Sequence, residues 1–93
     1  MFKSIIDKKF EDIGFIKIVE NEYGATYERK NKEYNFTQVL DILHKASGKH
    51  IVQSYDKYLM DSEMIGNTCI GLSYYEMKLV LKKMRQLGYH KSK

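Results

Sequence analysis

Apolar and polar residues alternate with period two through residues 13–56, and three polar interruptions, Asn21-Glu22, Asn31-Lys32 and Ser47-Gly48, divide that stretch into four runs. Asn and Gly supply the positive φ that two-residue hairpin loops require, so the runs read as strands joined by tight turns. Folding the chain about those turns pairs Ile16 with Tyr27, Tyr27 with Phe36, Leu40 with Tyr55 and Ile42 with Gln53. Paired residues share a face, and side chains alternate along each strand. This register gathers Ile16, Ile18, Tyr27, Leu40, Ile42 and Tyr55 on one side of a sheet. Lys17, Glu28, Thr37, Asp41, Ser54 and Asp56 fall on the other.

The pattern changes to a helical period at both ends. Phe2, Ile5, Ile6 and Phe10 suit one face of a short helix over residues 4–11, with Ser4 as its cap, Asp7 placed to complete a capping box, and a stop near Asp12 and Gly14. After the sheet, Ser73-Tyr-Tyr-Glu76 is a second capping box, and Gly88 supplies a left-handed stop. Between them, Met77, Val80, Leu81, Met84 and Leu87 recur at three and four residues. That stripe needs an apolar partner, and the aromatic face of the sheet provides one. The expected fold is therefore α+β and a single domain over residues 1–93: a short N-terminal helix, a four-stranded antiparallel β-meander, and a C-terminal amphipathic helix packed across one sheet face.

Five apolar residues break the polar face. Phe15, Val19, Val39, Leu43 and Val52 form a patch that is either covered by the N-terminal helix or used as a subunit interface, and they are the candidate protein-contact residues. The stretch 61–72 carries little periodicity, and a structureless loop of that length in a compact domain is a place to look for a site.

Charge adds one feature. The net charge of +4 is concentrated after Leu72, where six basic residues face Glu76 alone. Lys78, Lys82, Lys83 and Arg85 make a candidate basic surface on the last helix, suited to nucleic acid or to an acidic partner. Four phosphate contacts on duplex DNA imply a salt slope of about −3.6.

Chemistry is sparse. His44, His50, His90 and Cys69 show no metal-ligand spacing, and the register places His44 and His50 on opposite faces, so no metal and no cofactor is assigned. No paired carboxylates, glycine-rich phosphate loop or nucleophile motif appears, and the reading is of a protein that is not an enzyme. A single cysteine, no apolar run approaching a membrane span and no secretory leader lead to the expectation of a cytoplasmic protein with no membrane partner.

The phrases ENEYGATYER and LSYYEMKLVLKKMRQLG, in a proline-free chain rich in Lys, Ile, Tyr and Asn, resemble small uncharacterised proteins of low-GC Gram-positive bacteria and their prophages. The resemblance implies an accessory or regulatory role exerted through contacts. Together these observations point to a small interaction module of bacterial or phage origin whose partner is another protein or a second copy of itself, as a homodimer. Nucleic-acid binding through the basic helix is the alternative.

Overall fold

The computed structural model describes residues 4–45, 48–58 and 69–89. Helix α1 (Ile5–Asp12) is followed by strands β1 (Ile16–Asn21), β2 (Gly24–Asn31), β3 (Phe36–His44) and β4 (His50–Asp56), then by helix α2 (Tyr74–Gln86). The strands form one antiparallel sheet in the order β1-β2-β3-β4, which is the expected α+β meander. Among the described residues, no helix is long and apolar enough to cross a membrane.

Local chemistry explains where the helices begin and end. The Ser4 hydroxyl accepts a hydrogen bond from the Asp7 backbone N at 3.0 Å, satisfying one orphan donor of α1. Asp7 does not reach back to complete the box; its carboxylate turns into the core. Ser73 and Glu76 do form a full capping box on α2, and Gly88 ends that helix at φ +85°. The position expected for Phe2 lies outside the described residues.

The first turn is displaced by one residue and the other two are longer than the alternation suggests, and this shifts the register. The first loop is Glu22-Tyr23, closed by the Asn21 side chain, which accepts from the Tyr23 backbone N at 2.8 Å. A bulge at Ile18 then moves β1 by one residue, so Tyr27 faces Lys17 and Ile16 faces Glu28. The second loop runs through four residues, with Asn35 at φ +52°, and pairs Tyr27 with Leu40. Tyr27 and Phe36 still share a face, because the pairing of β2 with β3 is unbroken from Asn31–Phe36 onward. At the third loop His44 pairs with His50, which sets Leu40 against Ser54 and Ile42 against Val52. Ser47 lies outside the described residues.

Both helices lie on the same side of the sheet. Leu79 and Val80 of α2 and Phe10 of α1 join Phe15, Ala25, Tyr27, Leu40 and Ile42 in one core. Phe10 packs edge-on to Phe15 and lies 4.3 Å from the Tyr27 ring. The opposite face, with Ile16, Val19, Glu28, Val39, Asp41 and Tyr55, carries no described helix. Ile16, Ile18, Ile51 and Tyr55 therefore sit on that open face rather than in the core. The register, not the composition, decides this.

Gly24 tests the register directly. It adopts φ +130°, and a Cβ built there would lie 1.9 Å from the Ile42 carbonyl oxygen, which is backbone and cannot step aside. Gly24→Ala should lose more than about 2 kcal/mol of stability. Urea unfolding followed by circular dichroism measures it; an unchanged midpoint would contradict the close approach of β2 and β3.

Candidate functional site

A charged network joins the elements that build the helix side of the sheet. The Asp7 carboxylate accepts from the Tyr27 hydroxyl at 2.6 Å, Lys17 Nζ at 2.8 Å and Lys83 Nζ at 3.1 Å. Lys83 also donates to Glu20 at 2.6 Å, and Lys17 donates to the same carboxylate at 3.1 Å. Lys83 has no exposed surface and Asp7 is 3% exposed. Burial alone would push the Asp7 carboxyl up; the hydrogen bonds from Lys17, Tyr27 and Lys83, with the Lys83 charge, outweigh it and hold the group at about 2. Burial and then the Asp7 carboxylate push the Tyr27 hydroxyl far above the ordinary phenol value, so it stays a donor.

Arg29 makes a second tie. It lies 4.2 Å over the Phe15 ring, bridges to Glu76 at 2.8 Å, and donates to Gln38 at 2.9 Å. Gln38 passes the row on to Ser54 at 2.7 Å. Gln38 is thus a buried amide with both ends hydrogen-bonded. Gln53 lies on the open face instead, where Thr26, Gln53 and Tyr55 donate to Asp41. Asp56 is on the helix side, so Asp41 and Asp56 share no reaction centre.

The two surfaces expected from the sequence are corrected by this geometry. Phe15 is fully buried in the core, because its backbone N is tied to the Phe10 carbonyl and its ring lies under Arg29. Val52 is on the helix side, opposite Ile42. Val19, Val39 and Leu43 remain on the open face, where exposed Ile16 and Ile18 of β1 extend them. Helix α1 does not cover that face, since Asp7 binds it to the other one. On α2, Lys78, Lys82 and Arg85 are exposed, but Lys83 is not part of the basic surface. Its charge is spent on Asp7 and Glu20.

The buried stripe of α2 is Glu76, Leu79, Val80 and Lys83, with Leu87 partly buried. The stripe expected at Met77 and Leu81 is rotated out of the core by roughly a quarter turn or more at 3.6 residues per turn. Met77 is 52% exposed and Leu81 64%. With Val52, Ile70 and Leu72 they line an open apolar groove of about 500 Å³ between α2 and β4. This groove was not legible as a site, because its helix walls were assigned to the core and Val52 to the other sheet face.

Beside the groove lies the edge of β4. The Ile70 backbone N donates to the Ser54 carbonyl at 2.9 Å, so even-numbered residues of β4 direct their backbone groups away from β3. The short Cys69–Ile70 segment occupies the edge near Tyr55. His50 and Val52 present theirs further along the same edge. An apolar groove flanking strand groups that have no partner among the described residues is a geometry suited to an added strand.

At the start of β4, His44 and His50 are direct partners on one face, with Nδ1 atoms 3.2 Å apart. The expectation of opposite faces fails here because the third loop is longer than two residues. Cys69 is a free, exposed thiol. Residues 61–68 of the expected site loop, and His90, lie outside the described residues. Among those described, no group of three or more metal-ligating side chains forms.

No protein family matches the chain, and neither a curated protein nor a solved structure matches it.

The Asp7 network predicts an acid dependence. A carboxyl lowered in the folded chain from 3.8 to about 2 contributes stability above the unfolded value and loses it as pH falls through the folded one. Stability should drop by about 2 kcal/mol between pH 4 and pH 2 from this group. Asp7→Asn, which leaves Lys83 short of a partner, should cost about 3 kcal/mol or more at pH 7. Urea midpoints across that pH range check both; a variant as stable as the wild type would remove the network from the account.

Proposed function

We propose that the chain is a small non-enzymatic protein-binding module that takes a partner strand along the β4 edge, its apolar side chains entering the groove of Val52, Met77 and Leu81. The observation that carries this reading is the exposure of Met77 and Leu81 beside the His50–Val52 end of β4, whose outward backbone groups have no partner among the described residues. Large apolar groups displayed together rather than singly mark contact surfaces. Methionine at the rim adapts to varied partner side chains. A second copy of the chain is one such partner, since two β4 edges can pair antiparallel about a twofold axis. Exposed Ile16, Ile18 and Val19 of β1 form a further contact area at the margin of the opposite sheet face, whereas Val39 is buried. A cytoplasmic, regulatory or accessory role of bacterial or phage origin fits a module that acts through contacts alone.

Self-association is measured by sedimentation velocity over a concentration series. The wild type should move toward dimer mass at high micromolar concentration. Val52→Pro removes an outward backbone N–H without breaking a bond to β3, and Leu81→Lys places charge in the groove; each should leave the chain folded and monomeric. A wild type that stays monomeric to millimolar concentration would exclude the homodimer. Dimerisation untouched by either variant would move the interface elsewhere.

The exposed row of Lys78, Lys82 and Arg85 favours a second reading, contact with nucleic-acid phosphates. With Lys83 withdrawn, three contacts give a salt slope of about −2.7 on duplex DNA. A mobility-shift titration should show retention only at low ionic strength. Submicromolar binding at physiological salt, abolished by Lys78→Glu with Lys82→Glu, would promote this reading over the first.

A further inference from the structure

The histidine pair at the start of β4 is separate from the groove and is built with more precision than packing requires. The two Nδ1 atoms are 3.2 Å apart, the rings are tilted by 27°, and Tyr89 lies flat on His50 at 4.3 Å and 9°. Both histidines are fixed at their backbones by one rung of the antiparallel ladder. A neutral imidazole has one donor and one acceptor nitrogen, so a single proton on either Nδ1 can occupy the space between them. A metal ion fits the same space. Two imidazole nitrogens at about 2.0–2.1 Å from a tetrahedral Zn²⁺ are separated by about 3.3 Å, close to the separation already present.

We propose that His44 and His50 chelate a borderline divalent transition metal, of which Zn²⁺ is the type, through both Nδ1 atoms. Each ring then carries its proton on Nε2, and water takes the remaining coordination positions. The aromatic floor of Tyr89 holds the His50 ring in place. His50 Nε2 is buried and has no hydrogen-bond partner among the described residues, so the outer nitrogen of that ring is closed to solvent and the inner one is the site of binding. Lys45 and Lys49, adjacent in the chain, are exposed, where water and salt screen their charge. The bound ion would fasten β3 to β4 and, through Tyr89, to the end of α2.

The test is titration of the full, metal-free chain with Zn²⁺ alone, read by calorimetry and by thermal melting. One equivalent should bind, and at a hundredfold excess over Kd the melting temperature should rise by about ten degrees. His44→Gln and His50→Gln should each lower affinity at least about tenfold, the least that loss of even an outer-sphere partner costs. His90→Gln and Cys69→Ser should leave it unchanged. Because a misfolded variant would also lose the metal, the wild type is read by ¹⁵N imidazole resonances, where Zn²⁺ should shift the Nδ1 signals of two histidines. No binding by the wild type, shifts at Nε2 only, or affinity that survives His44→Gln and His50→Gln would overturn the proposal.

Discussion

The buried carboxylate of Asp7 is the constraint from which the rest of the arrangement follows. It sits on α1, yet its donors come from β1, β2 and α2, so one side chain brings four elements to one place. Two lysines and two carboxylates are gathered there, and each needs the others, because an unmatched buried charge costs several kcal/mol. Bringing Lys83 to Asp7 fixes the rotation of α2 about its own axis. That rotation turns Leu79 and Val80 inward and leaves Met77 and Leu81 outside. The exposed apolar edge is thus a by-product of an ionic contact on the far side of the same helix. The same contact places both described helices on one face of the sheet.

The elements of the fold were legible in the sequence, but their rotation and register were not. The caps at Ser4 and Ser73 and the stops at Gly14 and Gly88 are short-range signals, and each acts on backbone within one turn. Register depends on loop length, and loop length depends on side chains that alternation ignores. Asn31 accepts from the Tyr34 backbone N, and Asn35 takes a left-handed conformation, which together make a four-residue loop where two residues were expected. Each slip of one residue exchanges the faces of a strand. So Tyr55 and Ser54 changed places, and the histidines came together. The stripe of α2 was legible at Val80, Met84 and Leu87, which lie in or against the core, and was missed elsewhere for a different reason. Hydropathy selects Met77 and Leu81, while the buried line includes Glu76 and Lys83, whose partners Arg29 and Asp7 are 47 and 76 positions away in the chain. The only sequence trace of that line is an acid and a base at helical spacing flanking Leu79 and Val80.

The surfaces left over divide the molecule into distinct zones. One edge of the helix side is apolar and concave, the adjoining helix exterior is cationic, and the open sheet face has an aliphatic margin on β1 around the hydrogen-bonded centre of Asp41. Three donors from the two flanking strands, β2 and β4, converge on Asp41 of β3 and tie that centre together. An acidic, apolar segment laid along β4 would meet the groove and the Lys78–Lys82 row together. The Arg29 row from Glu76 to Ser54 supports the groove from beneath, so its walls are held by hydrogen bonds rather than by apolar packing alone.

The bulge at Ile18 bears on how copies of such a sheet can assemble. A meander has two outer strands, and if both accepted neighbours the sheets could add end to end into a filament. The extra residue in β1 disrupts its regular spacing and increases its twist, which makes that margin a poor template. Among the described strands, β4 is the outer strand without a bulge, and its His50–Val52 end lies beyond the Cys69–Ile70 segment. The irregularity in the first strand thereby turns any pairing between sheet edges away from β1.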